Sequence, residues 1–201
     1  MKILSINPQN PEKNIIHEAI EVMEKGGIVV YPTDTIYGLA VNIFDENALK
    51  RLYDLKNRSS SKPLSICVSN LEYISKIAHV EENIKNKISE LLPGPFTIIL
   101  KKKNVISPVL TAGGENIGIR IPDTVLCQEL SRKFPITASS ANISGMKTGD
   151  TVEDIISQLG SGVDLILDAG SSPSQEPSTV IDFTQYPPEI LRQGSGKFVW
   201  P

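Results

Sequence analysis

The chain is poor in the side chains that most often carry out chemistry. Of its 201 residues only two are histidines, His17 and His79, each in a helix-like stretch. That leaves no set for a histidine metal cluster and no convincing serine–histidine pair. There are two cysteines, Cys67 and Cys127, far apart in the sequence. They cannot form a disulfide framework or a zinc site, and they read as free thiols of a reducing, cytoplasmic compartment. No apolar run approaches the roughly eighteen residues of a membrane span, and the opening MKILSINPQNPEK has no apolar core of signal-peptide length. Neither sign of charge dominates: 20 basic residues against 23 acidic give a net charge of −3, which exerts no global pull on nucleic acid or an anionic membrane. The dinucleotide fingerprint G-x-G-x-x-G is missing. The segment SGMKTGDT (144–151) fails as a phosphate loop because no glycine directly precedes Lys147. Acid–base work would therefore fall to carboxylates, lysine or the substrate itself.

What is present is an ordinary globular composition, 40% apolar and 21% charged, in a length that suits one domain spanning 1–201. Helical and extended signals alternate. Residues 14–27 put Ile15, Ile16, Ala19, Ile20 and Met23 on one helical face, with Gly26 as a stop. Residues 45–56 open on Asp45 as a cap and carry Leu49, Leu52, Tyr53 and Leu55. Further helices are expected at 70–78, 81–92, 124–132 and 151–159. Strands are expected at 28–32, 63–69, 96–103, 116–122, 135–140 and in three runs between 163 and 194. The pattern is α/β, a twisted mixed open sheet with flanking helices, with hairpin-like neighbours at 96–121 and 178–192.

Polar residues gather where strands run into loops. YPTDTIYGLA (31–40) sets Thr33, Asp34 and Thr35 directly after a hydrophobic strand. It reads either as a turn whose aspartate caps backbone amides or as part of a site. LKNRSSSKPL (55–64) holds Lys56, Arg58 and Lys62 with no acid among them, either a solvated loop or an anion clamp. TASSANISG (137–145) is rich in small hydroxyls. Arg120, set among Ile117, Ile119 and Ile121, demands an anionic partner: Asp34, Asp123 or a ligand. Hydroxyls and a few cations suit the alignment of a polyanionic nucleotide with a small zwitterion, where positioning and charge stabilisation are the main demands.

GGIVVYPTDTIYGLA, LKNRSSSKPL, LLPGPFTIIL, IGIRIP, TASSANISG, STVID and ILRQG occur in the order found in the YrdC-like threonylcarbamoyl-AMP synthases. The chain resembles that family over about 14–197, in its short single-domain form. The resemblance implies a nucleotidyltransferase that joins L-threonine, bicarbonate and ATP into L-threonylcarbamoyladenylate and pyrophosphate, in a concave, basic cleft. A threonylcarbamoyl-transfer complex would then use the product to modify adenosine 37 of tRNA. It also implies roles: Thr35, Cys67, Arg120, Ser140 and Ser178 for threonine, and Arg58, Lys62, Asn116, Ala138, Thr148 and Arg192 for the nucleotide. Lys56, Arg58 and Lys62 would form the basic catalytic loop. Mg²⁺ is expected to come with ATP and not on a dedicated protein site. Where some relatives have histidine this chain has Cys67, which either walls the threonine pocket or is a small buried thiol. Certain paralogues of the family are proposed to bind RNA. Lys50, Arg51, Lys56, Arg58 and Lys62, with Lys101, Lys102 and Lys103, could serve that alternative.

Overall fold

A computed structural model describes residues 1–200. The amphipathic stretches form where the periodicity places them. Helix α1 (Lys13–Glu24) buries Ile16, Ala19 and Met23, and Gly26 follows it with φ +78°. Helix α2 (Glu46–Leu55) starts on Asp45, whose carboxylate accepts from the amides of Asn47 and Ala48. It buries Ala48, Leu49, Leu52 and Tyr53. Helices α3 (Leu71–Ile77), α4 (Glu82–Leu91), α6 (Val125–Leu130) and α7 (Val152–Leu159) match the expected stretches within a few residues. A one-turn helix, α5 (Pro108–Thr111), was not expected. It is too short to display a helical period.

The strands divide into two mixed sheets. The first runs β1 (Lys2–Ser5), β9 (Leu165–Asp168), β2 (Val29–Tyr31), β3 (Gly38–Ala40), β8 (Ser139–Ser140). The second runs β11 (Glu189–Arg192), β10 (Thr179–Asp182), β5 (Phe96–Lys101), β6 (Asn116–Arg120), β4 (Ile66–Cys67), β7 (Ile136–Thr137). Both hairpin-like pairs, β5 with β6 and β10 with β11, are antiparallel. Strand β1 lies in the N-terminal stretch and pairs parallel with β9. Its residues are mostly exposed, so no alternation of apolar and polar residues announces it.

The stretch 135–140 is two short strands in different sheets. Ile136 and Thr137 pair with β4, while Ser139 and Ser140 pair with β3. Ala138 sits at the crossing and donates its amide to the Ser65 carbonyl, at 2.8 Å. In 63–69 only Ile66 and Cys67 join the ladder. Pro63 has no amide to offer, and the Leu64 amide goes instead to the carbonyl of Leu110. One apolar cluster lies around Val30, Leu39, Leu52, Ile66 and Ile119; a second packs α1 and α6 against β2, β9 and Cys67.

Candidate active site

The two sheets meet at a cavity of about 150 Å³. Tyr31, Gly38, Ser139 and Ser140 reach it from the first sheet, and Thr97, Arg120, Val180 and Arg192 from the second. Loops add Thr33, Tyr37, Arg58, Ser65, Pro177 and Ser178. Among the described residues three arginines line it and no Asp or Glu does. Drug-sized pockets run to roughly 300–1,000 Å³, so the enclosed part suits a small amino acid, and a nucleotide would extend beyond it.

Arg120 ends β6 at 7% exposure. Its Nη2 pairs with Asp34 Oδ1 and donates to Thr35 Oγ1 at 2.7 Å. The other Asp34 oxygen accepts the Asp123 amide at 3.1 Å. The structural carboxylate is therefore Asp34. Yet Arg120 Nε is buried with no protein partner, and an unpaired buried donor of this kind is costly unless a ligand completes it.

The turn at Pro32–Thr35 shows how the arginine is held. Thr33 Oγ1 accepts the Thr35 amide at 3.0 Å and gives its hydrogen to the Ile36 carbonyl at 2.8 Å. Since a hydroxyl has one hydrogen, Thr35 must donate in the 3.1 Å contact between the two side chains. Thr35 is 1% exposed and is not among the cavity's lining residues. It supports Arg120, while Thr33 reaches the cavity.

Ser178, just before β10, shares a 2.8 Å hydrogen bond with Thr97 on β5, and its carbonyl accepts from Arg192 Nη2 at 2.8 Å. Desolvation first, and the neighbouring Arg120 charge second, lower the Arg192 pKa. Two guanidiniums crowded in this way favour an anion between them. Arg58 donates from Nη2 to the Pro63 carbonyl at 2.8 Å, which fixes its side chain at the rim.

The structure thus brings Arg58, Arg120, Ala138, Ser140, Ser178 and Arg192 to one cavity. Other expected site residues lie elsewhere. Lys56 is 2% exposed, and its Nζ is engaged by the Ser140 and Asn142 carbonyls. Burial, followed by the Arg58 charge, pushes its pKa down to about 7. Lys62 is exposed. Asn116 is exposed at the far end of β6, four residues or about 13 Å from Arg120 at strand rise. Thr148 is half-buried in a loop and does not line the cavity. Cys67 is fully buried in the second apolar cluster, and burial pushes its thiol up to about 12. Of the two readings for Cys67, the buried thiol is the one that fits. Sequence reasoning missed Thr97 and Ser65. The signal for Thr97 was a lone hydroxyl in the apolar run FTIIL, the same kind of interruption that drew attention to Arg120.

The family model for the Sua5, YciO and YrdC domain, described as "Telomere recombination", matches residues 21–194. The chain belongs to that family. A Methanocaldococcus jannaschii protein provisionally named a threonylcarbamoyl-AMP synthase is 39% identical over 194 residues, covering 96% of this chain and 92% of its own length. The threonylcarbamoyl-AMP synthase of Pyrococcus abyssi is 34% identical over 183 residues, 89% of this chain but 54% of its own length. Among solved structures, Pyrococcus abyssi Sua5 complexed with L-threonine superposes with a TM-score of 0.91 at 32% identity, over 96% of this chain and 58% of that one. This chain therefore spans little more than half of these Pyrococcus proteins. Escherichia coli YciO superposes with a TM-score of 0.90 at 31% identity, over 98% of both chains. Two mixed sheets with flanking helices are the architecture shared with both.

Proposed function

We propose that the protein is an L-threonylcarbamoyladenylate synthase, a nucleotidyltransferase that takes L-threonine, bicarbonate and ATP. The observation that carries this reading is Arg120, buried in a carboxylate-free cavity with its Nε unpartnered. Asp34 and Thr35 hold Nη2, which leaves the rest of the guanidinium to grip an amino-acid carboxylate. Ser140 and Ser178 would bound the amino-acid side, and Arg192 and Arg58 would face the phosphates. Support also comes from the threonine bound in the Pyrococcus Sua5 structure and from the names of the synthase relatives.

In this reading the threonine amine takes up the carbon of bicarbonate, losing water, to give a carbamate. A carbamate oxygen attacks the ATP α-phosphorus, the bond to the bridging oxygen breaks, and pyrophosphate leaves with that electron pair. Arg58 at the rim offsets its charge, an electrostatic contribution of about 3–4 kcal/mol by analogy with single-donor deletions elsewhere. Among the described residues no group of three or more His, Cys, Asp or Glu could hold a metal ion. The proposed Mg²⁺ would arrive on the triphosphate, where it would neutralise phosphate charge. Among the described residues no helix is long and apolar enough to cross a membrane, and both cysteines are free thiols; a cytoplasmic setting accords with both. The transfer complex that modifies tRNA would be the consumer of the product.

The test is pyrophosphate release with ATP, threonine and bicarbonate, omitting each in turn. Release that needs all three is the expected result. Release indifferent to threonine, or none at all, overturns the reading. RNA binding with no release would favour the RNA-binding paralogue.

A further inference from the structure

We propose that Lys56 is a positioning residue, tying the turn at 140–142 to helix α2 and so setting Ser140 for the amino-acid substrate, and is not a ligand of phosphate. For the identity of that substrate this rests on the synthase reading above; the tie itself rests on geometry.

Lys56 is the residue that closes α2, whose buried face fixes it to the core. The Lys56 ammonium donates to the Ser140 carbonyl, to the Asn142 carbonyl at 2.7 Å and to Asn142 Oδ1 at 3.3 Å. Three oxygens surround Nζ, enough to take every hydrogen of either the amine or the ammonium. None is left for a phosphate. The Lys56 carbonyl in turn accepts the Ser144 amide at 2.8 Å. Asn142, itself 7% exposed, extends the tie: its Oδ1 accepts from Ser140 Oγ, and its Nδ2 donates to the Ile143 and Met146 carbonyls. One lysine and one asparagine thus hold the segment from Ser140 to Met146.

That segment needs holding. Strand β8 is two residues long, and its ladder to β3 consists of Gly38 with Ser140 and Leu39 with Ser139. So short a pairing does not fix a strand end. If packing alone were required, a methionine would fill the space without the cost of desolvating a charge. The buried lysine nitrogen supplies the donor to the Asn142 carbonyl and adds one to the Ser140 carbonyl, which also takes the Asn142 amide at 2.9 Å, and one to Asn142 Oδ1, which also takes Ser140 Oγ. Arg58, two residues on, does line the cavity. The two neighbouring basic residues therefore have separate tasks.

The test uses the full chain, with threonine and ATP titrated separately by calorimetry. Lys56→Met should weaken threonine binding about tenfold or more, one lost buried charged hydrogen bond's worth, and change ATP affinity by less than about threefold. Asn142→Ala should give the same split. The double variant should be no more than about twofold worse than the worse single one, because both act through one tie. Amide exchange across 139–146 should rise in both variants but not in Lys62→Met. Lost ATP affinity with threonine affinity intact, or additive effects, overturns the proposal. If Lys56→Met does not fold, the split in Asn142→Ala decides. If the unaltered protein binds no threonine, the synthase reading fails and the substrate named here falls with it. Exchange across 139–146 then judges the tie alone, and unchanged protection in both variants overturns that too.

Discussion

Replacing Arg120 separates two tasks that one side chain performs. Its Nη2 is tied to Asp34 and Thr35, its Nε is buried without a protein partner, and the residue lines the cavity. Arg120→Ala removes both tasks. It strands the Asp34 carboxylate, whose side chain is only 13% exposed, and breaking a buried pair in this way costs about 3–5 kcal/mol of stability. In a chain of this size each kcal/mol lowers Tm by roughly 2–4 °C, so a fall of about 6–20 °C is expected. Arg120→Lys is the sharper experiment. An ammonium can answer Asp34, but it cannot hold the turn and also present a planar two-point contact to a ligand. Stability should then fall by little more than about 1–2 kcal/mol. Threonine affinity should still fall by about 2–4 kcal/mol, or about 30- to 1,000-fold. Calorimetry with threonine and with ATP, alongside a thermal melt of each variant, resolves the terms. ATP affinity lost with threonine affinity retained would refute the assignment of the carboxylate to Arg120. Equal melting temperatures for Arg120→Ala and the unaltered chain would refute the structural half.

Other outcomes follow from the same geometry. The Arg58→Ala, Lys62→Ala double variant should lower pyrophosphate release and raise the ATP requirement while threonine affinity holds; wild-type turnover with lost RNA affinity would transfer the basic loop to RNA binding. The Cys67 thiol, raised to about 12 by burial, should resist thiol reagents at pH 8 in the native protein and react once denaturant is added. Its folded pKa lies above the unfolded value of about 8.5, so its stabilising contribution is complete below that value and is lost as pH rises toward 12. Denaturant midpoints measured from pH 8 upward should decline, with a shallower slope in Cys67→Ala. A Cβ added at Gly38 would come within 2.8 Å of the Tyr31 ring. Gly38→Ala should therefore cost about 1–3 kcal/mol by overpacking, read as a lower melting temperature.

Much of this architecture was legible because its determinants are local. Asp45 opening a helix, Gly26 ending one and the isoleucines around Arg120 carry their meaning within a few residues. The site was only half legible. Arg120 is conspicuous as a charge in an apolar strand, but its pairing with Asp34 joins positions far apart in the chain, and no spacing rule reaches that far. Lys56 misled for a related reason. Beside Arg58 in a run of cations it looks like a phosphate ligand, and only the turn at 140–142, distant in sequence, shows where its protons go. The division into two sheets was hidden because strands such as β7 and β8 are two residues long, too brief for any alternation to register.

The crossing at Ala138 makes the cavity a sensor of folding. Ile136 and Thr137 must find their register in one sheet, and Ser139 and Ser140 theirs in the other, with a single residue between to absorb an error. A slip of one residue at β8 turns its side chains to the opposite face, and Ser140 then leaves the cavity it lines with Arg120. Partly assembled chains, with only one sheet in register, would have arginines but no enclosed place for a ligand. Ligand affinity should consequently track the fully folded population, and a small molecule that occupies the cavity should raise the stability of both sheets together.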